Sequence, residues 1–414
     1  MAISVTIRKK AQINAPVVGA QTSTVGEPSL ANSGAAVLFT GNWYAAQSVD
    51  DGSNWNHINP FTFFPPIDGG FCCDQTVHYS RAHDLTIWLL QYSVGGGTNS
   101  LRVAVKHGAV NAPGSWIWWD LKPGTVNPAW NGEWFDYNHA ALTDNFLYVG
   151  TNAFTVATDQ FTRSIIFRIP LAVLVAGGAL SFNFFQTSAN FSLRCVQGAG
   201  TTMYFVSHNG NQAKQVRVFA WPEGSPGVTS TDINVRPWVG PKFSAPVGGL
   251  NWLERADSRI TGAWFGNGVI GMMWTANSQG TTRPFPFVRV VQINAATMTL
   301  RNEPDIWSNT TAFAYPEACA NVNGVAGITL FAGGGVRHPT HMVGVRDDAA
   351  NAWRLATAFA STHSPSDNKW GDYLTCRRHA PNGVDWIASG FTLQGGGARA
   401  NIRPDYVRFG IGGI

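Results

Sequence analysis

The sequence predicts an all-β protein: a seven-bladed β-propeller of four-stranded antiparallel blades, with an N-terminal strand closing the last blade. Three observations predict it. Charged residues are only 13% of a 414-residue chain that holds 45 Gly, 25 Phe and 17 Trp; this is the composition of short strands and tight turns, not of disorder, coiled coil or helical arrays. A weak unit recurs seven times along the chain. The last unit lacks its outer strand, and an unassigned strand-like segment stands at the N-terminus.

Each unit runs from a polar or charged residue through a short run of small residues and a turn to a strongly apolar strand. The units are "EPSLANSGAAVLFTG" from Glu27, "DQTVHYSRAHDLTIWLLQY" from Asp74, "DYNHAALTDNFLYVGTN" from Asp136 and "RCVQGAGTTMYFVSHN" from Arg194. They continue as "RITGAWFGNGVIGMMWTA" from Arg259, "EACANVNGVAGITLFAGG" from Glu317 and "DYLTCRRHAPNGVDWIASGF" from Asp372. Blades therefore start near 27, 74, 136, 194, 259, 317 and 372, a period typical of radial repeats. Third strands follow as "LRVAVKH" from Leu101, "SIIFRIP" from Ser164, "QVRVFAW" from Gln215, "FVRVVQI" from Phe287 and "HMVGVRD" from His341. Fourth strands include "SWIWWDL" from Ser115, "LSFNFFQ" from Leu180 and "WRLATAF" from Trp353. The last unit reaches only a third strand, "DYVRFGI" from Asp405, so residues 1–12, with "SVTIRKK" at Ser4 to Lys10, are assigned as its outer strand. That pairing removes an exposed sheet edge and makes residues 1–414 a single propeller domain. No segment sustains a helical apolar period.

One hairpin carries a more specific signal. "SVDDGSNW", Ser48 to Trp55, reads S-x-D-x-G-x-x-W. Ser48 and Asp50 can bond the backbone of a tight turn, Gly52 can adopt a positive φ, and Trp55 buries a ring beside it. The stretch resembles the Asp-box, or BNR repeat, of the sialidase-like β-propeller superfamily. The resemblance implies a hairpin joining the third and fourth strands of a blade, away from the active face, which makes Asp50 structural. "FRIP", Phe167 to Pro170, is similar to the superfamily's Arg-Ile-Pro motif but falls on a third strand, and only Arg194 and Arg259 of an arginine triad head inner strands. Sialic-acid chemistry does not follow.

In a propeller the inner strands line an axial channel. Glu27, Asp74, Asp136, Arg194, Arg259, Glu317 and Asp372 occupy similar places in the seven units and are expected to ring one face of it. Wet channel positions are polar in any case; clustered charges also mark sites. "EWFDYNHAA", Glu133 to Ala141, adds Tyr137 and His139, and on a regular strand these two point away from Asp136 and Asn138. "KWGDYLTCRRH" adds Tyr373 and the trio Arg377, Arg378 and His379, which surface solvation explains as well as function does. The candidate catalytic residues are Asp74, Asp136, Tyr137, His139 and Asp372; the candidate substrate-binding residues are Glu27, Arg194, Arg259, Glu317 and Tyr373.

The resemblance, the Trp content and the charged ring lead to a carbohydrate-active propeller that cleaves a glycan, by hydrolysis or by lyase chemistry, or binds one at the channel face. The alternatives are a non-catalytic lectin or protein-interaction propeller, whose repeats are expected to be more alike than these, and a small-molecule enzyme of lactonase or cyclase type. Fold does not choose among them. No cofactor is expected: zinc spacings are absent, and calcium on the carboxylate ring has no motif behind it. A net charge of +4 with no long basic run argues against nucleic acid, and the longest apolar run, Leu171 to Leu180, is too short to span a bilayer. A monomer in a secreted or periplasmic setting is expected, although "MAISVTIRKK" has no apolar segment of signal-peptide type.

The five cysteines form no regular framework, and the adjacent Cys72 and Cys73 are the only candidates for a bridge. Such a bridge would be vicinal, and thiol counting under denaturing conditions with and without reductant decides it: three free thiols without reductant mean a bridge, and five mean that the pair is merely buried.

Overall fold

The computed structural model describes residues 3–14, 21–210 and 213–412. Seven four-stranded antiparallel sheets surround an axis, with inner strands Ser29–Ser33, Phe71–Ser80, Glu133–Leu142, Arg194–Cys195, Ile260–Gly266, Ala312–Ala320 and Thr375–Arg378. In the first six blades the strands follow outward in chain order. The seventh takes Trp386–Leu393 and Ile402–Gly412 and then, as its outermost strand, Ser4–Gln12. Val5 lies opposite Ile411 and Gln12 opposite Asp405. Met1 and Ala2, assigned to the same strand from the sequence, lie outside the described residues.

The second strands show why the apolar runs are continuous and not alternating. Leu85–Tyr92 and Val269–Ala276 are buried at every position, because a neighbouring blade covers each sheet face. The core is a series of wedges between adjacent sheets. Leu89 and Val103 of blade 2 meet Val149 and Ile165 of blade 3, and Val206 and Val218 of blade 4 meet Met272 and Val291 of blade 5. Trp88, Trp130, Trp221, Trp238, Trp252, Trp264, Trp274, Trp370 and Trp386 are buried, so nine of the 17 Trp that the sequence offered for sugar stacking serve packing. The apolar run at Leu171 becomes the short helix Leu171–Ala176, closed by Gly177 in the left-handed region. No helix among the described residues is long and apolar enough to cross a membrane.

The segment Ser48 to Trp55 joins the third and fourth strands of blade 1, Ala45–Ser48 and Asn56–Ile58. Ser48 Oγ donates to Asp50 Oδ1 at 2.8 Å and accepts from the Gly52 N–H at 2.9 Å, while Asp50 accepts from the Asn54 N–H at 2.8 Å. Trp55 Nε1 closes the loop on the Gly52 carbonyl at 3.0 Å. The Asn54 side-chain amide, which donates to Asp50 Oδ2 at 2.6 Å, then the Asn54 N–H and the Ser48 hydroxyl hold the Asp50 carboxyl down at about 2. "FRIP" lies on the third strand of blade 3, where Arg168 stacks 4.2 Å from the Trp221 ring centre and donates to backbone carbonyls at Pro222 and Ser225. It is a strut between blades. Cys72 and Cys73 are bridged, and Cys195, Cys319 and Cys376 are free and buried.

Gly52 has φ 79°, and a Cβ there would come within 2.5 Å of the Tyr406 ring, whereas Gly34, at φ 61°, faces open space. Gly34→Ala meets only the left-handed backbone cost, about 1 kcal/mol. Gly52→Ala adds a clash across the seam between blades 1 and 7 and is expected to lose on the order of 1–3 kcal/mol more in urea unfolding; equal losses would mean that the hairpin is not wedged against Tyr406.

Candidate functional site

All inner strands run the same way along the axis, so the channel has two mouths. At the end where these strands begin lies a cavity of about 530 Å³, lined by Glu27, Asp74, Asp136, Tyr137, Arg255, Arg259 and Asp372, with Trp43, Asp367, Lys369, Arg399 and the Cys72–Cys73 bridge among the residues around them.

Backbone irregularity aims these side chains. The inner strands of blades 2, 3, 5 and 6 slip register at this mouth, between Cys73 and Gln75, Asp136 and His139, Ile260 and Gly262, and Ala314 and Glu317. Glu27, Asp74, Tyr137 and Tyr315 take left-handed backbone there, at φ 44°, 37°, 56° and 55°. A bulge of this kind re-aims side chains. It corrects the strict alternation expected around Tyr137: the adjacent Asp136 and Tyr137 both line the cavity, and His139 does not.

The carboxyls are unequal. Burial raises Glu27 well above the usual carboxylate range, and the charge of Asp74 and a hydrogen bond with it add to the rise. Burial pushes Asp74 up to about 7; the hydrogen bond with Glu27 opposes that rise, and the charges of Asp136 and Asp372 add to it. The two therefore hold a proton between them near neutral pH. Asp136 accepts from Gln91 Nε2 at 2.9 Å. Asp372 is gripped by Arg255 through two bonds of 3.1 and 3.3 Å and by Arg259 at 3.4 Å. Arg259 also bonds Asp257 at 2.5 Å and stacks 4.1 Å from the Tyr137 ring centre. Tyr137 is pushed up to about 12 by burial, against the pull of Arg259, and its buried hydroxyl has no partner. Tyr373, whose hydroxyl is equally unpartnered, packs its ring 6.0 Å from that of Tyr137.

Three further candidates lie elsewhere. Arg194 and Glu317 do not line the cavity; they form a buried ion pair deeper along the axis, with Arg377 Nη1 3.8 Å from the second Glu317 oxygen. The repeat alignment is two residues out in these blades: the left-handed residues matching Glu27 and Tyr137 are Ser192 and Tyr315, so Arg194 and Glu317 sit two steps further in. Burial pushes Glu317 up to about 7 against the pull of both arginines. His139 is wall, not cavity lining. Its Nε2 accepts from the Cys195 N–H at 3.2 Å, burial and Arg194 keep it neutral, and its ring covers Gly150 so closely that a Cβ there has no room. Of the two readings open for the basic trio, surface solvation does not hold for Arg377 and His379, which are buried, while Arg378 is half-buried.

Arg255 and Asp257 were not among the candidates. They come from the long connection between blades 4 and 5. There Phe243, Trp252 and Leu253 pack with Tyr315, Trp370 and Leu374, which brings Arg255 over Asp372. Four charges within "LERADSR", in a chain so poor in charge, were the available signal. Among the described residues no three of His, Cys, Asp and Glu are grouped as a metal site requires.

No family model and no curated protein matches this chain. Among solved structures it is similar to the GH93 α-L-arabinofuranosidase of Fusarium graminearum, at 10% identity over 99% of this chain and 97% of that one, with a TM-score of 0.42. It is also similar to an α-L-arabinanase of Penicillium chrysogenum, at 10% identity over 99% and 97%, TM-score 0.41. A third is a Trypanosoma rangeli sialidase, at 9% identity over 79% of this chain and 53% of that one, TM-score 0.39. At this level of likeness no residue and no activity transfers.

A carboxyl pair with a raised folded-state pKa binds more protons folded than unfolded, so its ionisation takes stability away as pH rises. Asp74→Asn removes that loss. Relative to wild type, the variant is expected to gain on the order of 1–3 kcal/mol between about pH 4 and pH 8 in urea unfolding. A pH-independent difference would mean that the two carboxyls do not share a proton.

Proposed function

We propose that the acidic mouth binds a neutral glycan and hydrolyses a glycosidic bond, with the Glu27–Asp74 pair as the general acid. The observation that carries this reading is geometric: two buried carboxyls, both of which burial raises above the usual carboxylate range, open onto a cavity that also holds a third carboxyl, Asp136, and an unpartnered phenol, Tyr137. The pair gives its proton to the bridging oxygen as the C–O bond breaks and the bonding electrons leave with that oxygen. Asp136, bonded by a single amide, keeps lone pairs to stabilise the anomeric carbon or to direct water to it. Water supplies the hydroxyl for that carbon, and its proton returns to the pair. The Tyr137 hydroxyl can donate to a sugar hydroxyl, and Trp43, half-buried at the rim, offers an aromatic face.

The arginines favour a neutral substrate over a uronate. Arg255 and Arg259, the two beside the carboxyls, are already engaged by Asp372 and Asp257, and Arg399 lies over the Trp43 ring, so among the described residues Lys369 is the one cation of the cavity without such an engagement. A panel of neutral aryl glycosides and oligosaccharides, read by chromophore or reducing-end release, tests the reading. Hydrolysis is expected to decline above neutral pH as the pair loses its proton. Asp74→Asn is expected to lower kcat by about 100-fold or more with little change in KM, and Asp50→Ala to leave both unchanged. Binding without turnover would replace this reading with a lectin; neither binding nor turnover would overturn it.

A further inference from the structure

The opposite mouth is built from different chemistry. Where the inner strands end, a separate cavity of about 500 Å³ is lined by Asn32, His78, Tyr79, Arg81, Asp144, Gln197, Arg377 and Arg378, among others. Its character is basic: three arginines face one aspartate. Two of its lining side chains are buried with unmet hydrogen-bonding capacity. Arg377 is 7% exposed and donates through Nη1 to the Cys376 carbonyl at 3.0 Å, while its Nε has no partner. His78 is 3% exposed, and its Nε2 has no partner. Buried polar atoms in folded proteins are almost always satisfied by protein, water or ligand.

The charges are arranged to leave a surplus here. Glu317, behind Arg377, is already paired with Arg194 and lies 3.8 Å from Arg377, so it does not cancel both cations. Arg378 holds its place by donating through Nε and Nη2 to the Ala320 carbonyl at 3.2 and 3.1 Å, which leaves Nη1 free of these anchors. Arg81 is exposed at the rim. Asn32 is committed to its own scaffold: it donates to the Gly34 and Ala380 carbonyls and accepts from the Ala380 N–H, and it joins blade 1 to blade 7 without facing a ligand. The groups left to meet a ligand are Arg81, Arg377, Arg378 and His78, with Asp144 as the one opposing carboxylate.

We propose that this second mouth is a binding site for a doubly charged oxyanion, a phosphate or sulfate group, free or carried as an ester on a small molecule. Three guanidinium groups against one carboxylate leave two positive charges, the match for a dianion. Guanidinium forks suit tetrahedral oxyanions because they donate in parallel pairs. The volume exceeds that of the bare ion, which leaves space for the body of an ester. The site does not depend on the glycan reading of the other mouth.

Isothermal titration at constant ionic strength tests it with four probes: inorganic phosphate, inorganic sulfate, a sugar phosphate and a sulfated monosaccharide, with chloride as the reference salt. One saturable site per chain is expected for at least one probe. Binding of the free ion identifies the ion itself as sufficient, and binding of an ester alone assigns the carried group. Arg81→Gln and Arg378→Gln are each expected to weaken binding about tenfold, and the double variant to abolish it, with melting temperatures near wild type. Asp74→Asn, at the far mouth, is expected to bind as wild type does. Arg377→Met removes the buried cation, but its partner Glu317 makes the fold depend on it, so the decision rests on the two other arginines. No saturable binding of any probe, or undiminished binding by the double variant, overturns the proposal.

Discussion

The structure depends on a closure. Seven wedge-shaped sheets complete a ring only because Ser4–Gln12 pairs with Ile402–Gly412. The seam is then sewn by side chains. Asn32 of blade 1 reaches the Ala380 carbonyl of blade 7 at 2.6 Å, and Ser389 Oγ reaches the Pro28 carbonyl at 2.9 Å. Val5, Ile7 and Ile411 cover the layer of Cys376, Trp386 and Phe409 beneath them. No blade buries both of its faces by itself. The acidic cavity inherits this dependence, because Glu27, Asp74, Asp136, Arg259 and Asp372 come from blades 1, 2, 3, 5 and 7 and share no local structure.

Within the ring, polar groups are sorted by depth. At the acidic mouth carboxyls crowd one another, and burial answers by keeping a proton. Deeper along the axis, Arg194 and Glu317 are joined as an ion pair with Arg377 beside it. A buried pair of this kind contributes little net stability, but loss of one partner strands the other charge and costs about 3–5 kcal/mol. At the far mouth the surplus is positive. The channel therefore carries a polarity from acid to base along its length, set by which end of each inner strand bears the charge.

Much of the fold was legible because it is written redundantly. Leu101–His107 could be located to the residue, since an apolar strand recurs at the same place in each unit. The outer position of Ser4–Gln12 followed from the strand missing in the last unit. The site was legible only in outline. Glu27, Asp74, Asp136, Arg259 and Asp372 converge as their shared positions suggested. Arg194 and Glu317 do not join them, because small residues dominate the inner strands and give an alignment little purchase against a shift of two. The pairing of Asp136 with Tyr137 was hidden for a different reason: a bulge breaks the alternation that strand reasoning assumes, and nothing in "FDYNH" signals left-handed backbone at a tyrosine. For Arg377 solvation and function stayed equal readings, because sequence does not tell an arginine in a channel from one on a surface.

The closing pair of strands also sets how the ring would respond to force. Ser4 lies directly across from Gly412, and the partners then run in antiparallel order to Gln12 and Asp405. Tension applied through the chain at those two neighbouring points would load the ladder one rung at a time, as a zipper is loaded, and not all rungs together as in shear. The resistance at any moment is that of a single rung, so the seventh blade would peel from its edge inward at low force. Seated in the middle of a tethered assembly, such a ring would have one designated place to open, and the other six blades would be relieved of the load until it did.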